Sequence, residues 1–144
     1  MSRREILFRA KHIHAIPGNE HLNGRWVHGY LSDKDYIYDK SLDGEFLIDE
    51  DTICQYTGLT DKNGKKIFEG DVVKDSAGVC GEVKFGLYTA GFSISDINQG
   101  FYIEFPEESL YRKELGYWES KVVVIGNIYD NPELLEEENV HGTD

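Results

Sequence analysis

Several side-chain groupings in this chain have the types and spacing that chemistry requires. His12-x-His14 places two imidazoles on one face of a strand, the spacing of two ligands to a divalent metal. Completing the shell would take His21, His28 or a distant carboxylate. None of these stands at a ligand spacing, so the pair reads as a polar strand face and no metal is expected. Asp33, Asp35, Asp43, Asp49, Glu50 and Asp51 form a carboxylate-rich run, but it lacks the glycine and terminal glutamate of a calcium loop and reads as solvated turns.

Nucleophilic chemistry finds less support. Cys54 and Cys80 are isolated, and neither has a C-x-x-C partner. The chain has no G-x-S-x-G elbow, Walker loop or G-x-G-x-x-G. Asn63-Gly64-Lys65-Lys66 has lysines beside a tight turn but not the glycine spacing of a phosphate cradle. No catalytic residue and no cofactor are expected, and the chain reads as a non-enzyme.

Aromatic residues give the remaining candidate surface. Trp26, His28 and Tyr30 alternate along one run, and Tyr36 and Tyr38 follow in the next. Beside the basic Arg3, Arg4 and Arg9 they could stack nucleic-acid bases. Aromatic strands more often serve a core or a protein interface, and self-association is the preferred reading of this set.

These groups need strands to position them. Fifteen glycines, one methionine and many β-branched and aromatic residues among 144 favour strands and tight turns over helices. Alternation over 4–14 puts Ile6, Phe8 and Ala10 on one face and Glu5, Leu7, Arg9 and Lys11 on the other. Further strands are expected over 25–31, 36–38, 46–48 and 53–56, with Asp43-Gly44 as a hairpin turn. After Asn63-Gly64 come 67–74, with a bend or bulge at Gly70, then 81–85 with Val83 and Phe85 inward, 87–94 and 101–105. Residues 106–115 form either a short helix or a charged loop. The unalternating Val122-Val123-Val124-Ile125 predicts a strand buried on both faces. Asn131 and Pro132 suit the N-cap and first position of a short terminal helix. The spacing of glycine turns in the second half is that of a small barrel.

The formal net charge is -12, although residues 1–30 sum to +3. Such a chain repels nucleic acid except at a local basic patch, and only the N-terminal segment offers one. The acidic end, Glu133 to Asp144, reads as a solubilising tail or as a phosphate mimic for a host nucleic-acid-binding protein. No apolar run suits a signal peptide or a membrane span, so the expected location is the cytoplasm, with reduced thiols and no membrane partner.

Three blocks together resemble one family. They are the opening Arg4-Glu5-Ile6-Leu7-Phe8-Arg9-Ala10; the central Gln55-Tyr56-Thr57-Gly58-Leu59-Thr60-Asp61-Lys62-Asn63-Gly64-Lys65-Lys66-Ile67-Phe68-Glu69-Gly70-Asp71-Val72-Val73; and the closing Val124-Ile125-Gly126-Asn127-Ile128-Tyr129-Asp130-Asn131-Pro132-Glu133-Leu134-Leu135. In this order they resemble the YopX-like proteins of bacteriophages and prophages. The resemblance implies a mainly β protein: a β-rich N-terminal half (1–60), and an SH3-like barrel or roll with a short C-terminal helix (61–144), as separate units or as one. It carries over no activity, substrate or catalytic residue. The expected role is a non-enzymatic phage or prophage accessory protein in the bacterial host cell, associating with itself or with a host or phage protein. Nucleic-acid binding through Arg3, Arg4, Arg9, Trp26, His28, Tyr30, Tyr36 and Tyr38 is the alternative.

Overall fold

Alternation of outward and inward residues sets the first unit. Its strands are β1 (Phe8–Lys11), β2 (Trp26–Asp33), β3 (Tyr36–Asp39), β4 (Gly44–Leu47) and β5 (Cys54–Thr60). The computed structural model describes residues 5–14, 17–18, 20–89, 97–106 and 111–136, in two units divided between Gly58 and Leu59. Within the first unit all pairs are antiparallel, in the order β4-β3-β2-β1-β5.

One face of that sheet carries the core of Ala10, Val27, Ile37 and Ile48, with Phe8, Phe46 and Ile53 packed on it. Gly29 sits where strands approach closely. A Cβ there would lie 1.8 Å from the Tyr38 carbonyl oxygen, so no other residue fits. Asp43, with φ 52°, turns β3 into β4 as the Asp43-Gly44 signal predicts. Ile6 does not join the core and is 65% exposed, because it precedes the paired part of β1.

The second unit begins with a turn around Asn63-Gly64 that leads into β6 (Lys66–Phe68). β7 (Asp71–Lys74), β8 (Cys80–Thr89), β9 (Ile97–Glu104) and β10 (Val123–Asn127) form an antiparallel sheet in the order β10-β7-β8-β9. A single helical turn, α1 (Leu115–Trp118), covers it, and residues 133–136 are helical. Its core joins Ile67, Val73, Val83, Ile103, Phe105, Leu115, Trp118 and Val122. The fold is mainly β, with two antiparallel sheets.

Buried aspartates fix the turns of this unit. Asp61, 3% exposed, accepts from the backbone N–H groups of Asn63 (2.8 Å), Lys65 (2.9 Å) and Val124 (2.9 Å). Asp71, 1% exposed, accepts from Phe68 N–H at 2.8 Å across the Gly70 turn, where φ is +87°. Glu69-Gly70-Asp71 is therefore a strand entry, as its sequence suggests.

Three local expectations change, and one open choice is decided. β8 is one ten-residue strand and does not break at Gly86; residues 90–94 of the expected 87–94 strand lie outside the described residues. Phe85 is 51% exposed, not inward, because the β8–β9 hairpin outruns the core that buries Val83. Of the two readings of 106–115, the loop holds for Pro106 and residues 111–114, which are not helical, and a helical turn starts at Leu115; residues 107–110 lie outside the described residues. Val122 is fully buried, but Ile125 is 37% exposed, because β10 is an edge strand with a register shift between Val124 and Gly126. The Asn131 side chain turns back, its Oδ1 accepting from Asn127 N–H at 3.3 Å.

Candidate functional surfaces

Period-two alternation sends Val27 and Gly29 of β2 to the core side and Trp26, His28 and Tyr30 to the opposite face. The register sets Lys11 across from Trp26, Arg9 across from His28 and Tyr38 across from Tyr30. The aromatic row therefore lies together and away from the core. Tyr30 is 56% exposed and Tyr36 38%. Tyr30 and Tyr38 stack with centroids 5.4 Å apart, and the Tyr38 hydroxyl donates to Asp43 at 3.1 Å. Ile48 does not cover these rings, because it lies in the core on the other face.

The cations of this face serve the indole. The Arg9 guanidinium carbon lies 4.8 Å from the Trp26 ring centroid, and Lys11 Nζ lies 5.6 Å from it. Arg9 is buried, so it stiffens the face and is poorly placed to clamp a phosphate. Arg3 and Arg4 lie outside the described residues. The Asp39 carboxylate accepts from His28 N–H at 2.9 Å, from Ser41 N–H at 3.0 Å and from the Ser41 hydroxyl at 2.6 Å. Burial pushes this carboxyl up, but the His28, Ser41 and Leu42 donors outweigh it and hold the carboxyl below its ordinary value. Packing around the His28 ring, then the Arg9 charge, lowers the imidazole against the pull of Asp39.

His12 and His14 are engaged with each other and with the backbone. His12 Nδ1 lies 2.7 Å from the Leu47 carbonyl oxygen, to which it donates, so its Nε2 accepts from His14 Nδ1–H at 2.9 Å. His28 points to the other face of the sheet and cannot join them. Among the described residues, no three His, Cys, Asp or Glu side chains gather as metal ligands.

In the second unit, Cys80, Glu82 and Lys84 alternate on one face of β8 and line a hollow of about 210 Å³ with Glu104, Phe105, Pro106 and Leu135. Glu82 stands directly across from Glu104, which forms an ion pair with Lys84. Burial raises the Glu82 carboxyl; Lys84 opposes this, and Glu104 and Glu69 add to it. Cys54 and Cys80 are both buried free thiols. This hollow pairs a reluctant carboxylate with an ion pair and an apolar wall, and no histidine lines it among the described residues.

The opposite face of the same hairpin is apolar. Val83 and Ile103 lie in the core, and the facing pairs then run outward as Phe85 with Phe101, Leu87 with Gln99, and Thr89 with Ile97. Phe85 is 51% exposed, Leu87 69% and Ile97 58%. Phe85 and Phe101 meet edge to face at 5.0 Å. On the reverse side the stacked rings of Tyr88 and Tyr102, 5.3 Å apart, flank the Gly86 and Gly100 pair. Asp96 is the sole charge in the sequence between Lys84 and Glu104. That gap in a chain rich in charge is the signal by which sequence reading could have found the stripe.

These features define a small, mainly β protein whose buried carboxylates fix turns and whose exposed strands carry aromatic and apolar side chains. The family model described as YopX protein matches residues 17–136, and the chain belongs to that family. No curated relative matches it. No described helix is long and apolar enough to cross a membrane.

Proposed function

We propose that this protein is a non-enzymatic accessory protein of a bacteriophage or prophage, working in the cytoplasm of the bacterial host by associating through its β surfaces, first of all with itself. The observation that carries this reading is the apolar stripe of Phe85, Leu87 and Ile97, each more than half exposed, on a hairpin that outruns its own core. Self-association is favoured because this hairpin carries a single charge, Asp96, between Lys84 and Glu104 in a chain of net charge -12, so two copies can meet there with little repulsion. The experiment is light scattering of the full chain and of Leu87→Asp. Association of the wild type, weakened at least about tenfold by the substitution, a change of about 1.4 kcal/mol, supports the proposal. Equal behaviour of the two proteins removes the stripe from it.

A second reading, single-stranded nucleic-acid binding, is favoured by the open face of Trp26, His28, Tyr30, Tyr36 and Tyr38. It ranks lower because Arg9 is buried against Trp26 and the net charge opposes it. It predicts salt-sensitive binding that weakens when Arg3, Arg4 and Arg9 become Ala. No binding to DNA or RNA at low salt removes it.

A further inference from the structure

We infer that the second unit carries a basic patch, assembled from the Asn63-Gly64 turn and the segment around Tyr117, that binds the phosphodiester backbone of duplex nucleic acid without regard to sequence. The inference shares its ligand class with the nucleic-acid reading above but moves the contact away from Arg3, Arg4 and Arg9. Lys62 N–H donates to the Val122 carbonyl at 2.8 Å, so Lys62 lies beside Lys121 although the two are far apart in sequence. Asp61 accepts from Lys65 N–H and from Val124 N–H, each at 2.9 Å, and locks the same two segments together. Lys121 Nζ lies 4.6 Å from the Tyr117 ring centroid, and the Arg112 guanidinium carbon lies 4.7 Å from it. Lys62, Lys65, Arg112, Tyr117 and Lys121 are all exposed.

Five lysines and Arg112 stand in 61–66 and 111–121, against Asp61, Glu114 and Glu119. Asp61 is buried and spent on three backbone N–H groups, Glu114 pairs with Arg112, and Glu119 is half-buried. The patch is therefore positive on a chain of net charge -12, and it exists only once the fold joins its two halves. Chemistry selects the occupant. The Arg112 fork is engaged by Glu114 and by the Tyr117 ring, so the patch offers chiefly lysine ammonium groups. These are point charges that suit a row of phosphates, whereas an acidic protein segment is best held by a free guanidinium fork. Tyr117 is taken by its two cations, so bases gain no stacking platform here and stay paired in a duplex.

The test measures binding of the full chain to a fluorescein-labelled DNA duplex of mixed sequence by anisotropy, from about 50 mM salt upward. The variant combines Lys62→Ala, Lys65→Ala and Lys121→Ala; the control, in the first unit, combines Lys34→Ala and Lys40→Ala. Alanine keeps the backbone bonds that join the two segments, so the fold stands. The expected result is binding by the wild type, at least about tenfold weaker in the triple variant, with a log–log salt slope shallower by about 2 to 3 and a smaller change in the control. An unaltered slope overturns phosphate contact by these lysines, and so does tighter binding of polyglutamate than of the duplex. Binding that survives in the triple variant but falls when Arg3, Arg4 and Arg9 become Ala overturns the patch and leaves the nucleic-acid reading standing. A wild type that binds no duplex or single strand at low salt overturns both.

Discussion

The Asp61 carboxylate accepts from the Val124 N–H at 2.9 Å, across 63 positions of sequence. The same side chain closes the Asn63-Gly64 turn through the N–H groups of Asn63 and Lys65. One buried carboxylate thus ties the turn of the family signature to the closing strand, and the signature describes folding more than chemistry.

Removing that carboxylate leaves three backbone donors without an acceptor. Asp61→Ala should cost about 3–5 kcal/mol, because hydrogen bonds to charged groups are strong and buried unpaired donors are penalised. Urea unfolding followed by fluorescence reads this as a lower midpoint at unchanged slope. A loss under about 1 kcal/mol would contradict the assigned role.

The acid limb of stability should follow Asp61 and Asp39. Burial raises both carboxyls, but their backbone donors outweigh it, and each ends below the ordinary 3.8. A depressed carboxyl contributes stability that is complete above 3.8 and is lost as pH falls through the lower folded value. Thermal melts from pH 5 downward should therefore drop steeply below 3.8. Asp61→Asn and Asp39→Asn should flatten that limb while lowering the plateau; an unchanged limb would refute the assignment.

Glu82 should act in the opposite sense. Burial, opposed by Lys84 and reinforced by Glu104 and Glu69, raises its carboxyl above 4.5, so the fold favours the protonated form. Its unfavourable contribution appears as pH rises from 4.5 through the folded value and is complete above it. Glu82→Gln should therefore raise the melting temperature at pH 7 and change it little at pH 4. A lower melting temperature at pH 7 would show that the charged form is needed.

Gly29→Ala should be among the most damaging small substitutions. Its Cβ would stand 1.8 Å from the Tyr38 carbonyl oxygen, which is backbone and cannot rotate aside. A cost of about 3 kcal/mol or more follows, at the upper end of overpacking penalties. A melting temperature within a degree or two of wild type would show that β2 and β3 can separate at that point.

Much of the first unit was legible because its strands alternate cleanly. Phe8 and Ala10 against Arg9 and Lys11, and Val27 against Trp26 and His28, state their faces in sequence. The long hairpin was less legible: Gly86 reads as a break, yet it sits in continuous extended pairing opposite Gly100. Val122 to Ile125 reads as doubly buried because β-branched residues without alternation suit a central strand. Its place at the sheet edge is a tertiary fact. Of the surface residues, Tyr30 and Tyr36 are open and Arg9 is not; Phe85 reads as inward from its alternation with Val83, yet it is exposed with Leu87 and Ile97.

Sedimentation equilibrium of the full chain over a concentration series at about 0.15 M salt tests the central claim most directly. The account predicts a weight-average mass that rises with concentration from one chain towards two, and a Leu87→Asp variant that remains at one. A mass of one chain for the wild type at every concentration, up to roughly millimolar and thus beyond any association worth more than about 4 kcal/mol, would contradict it.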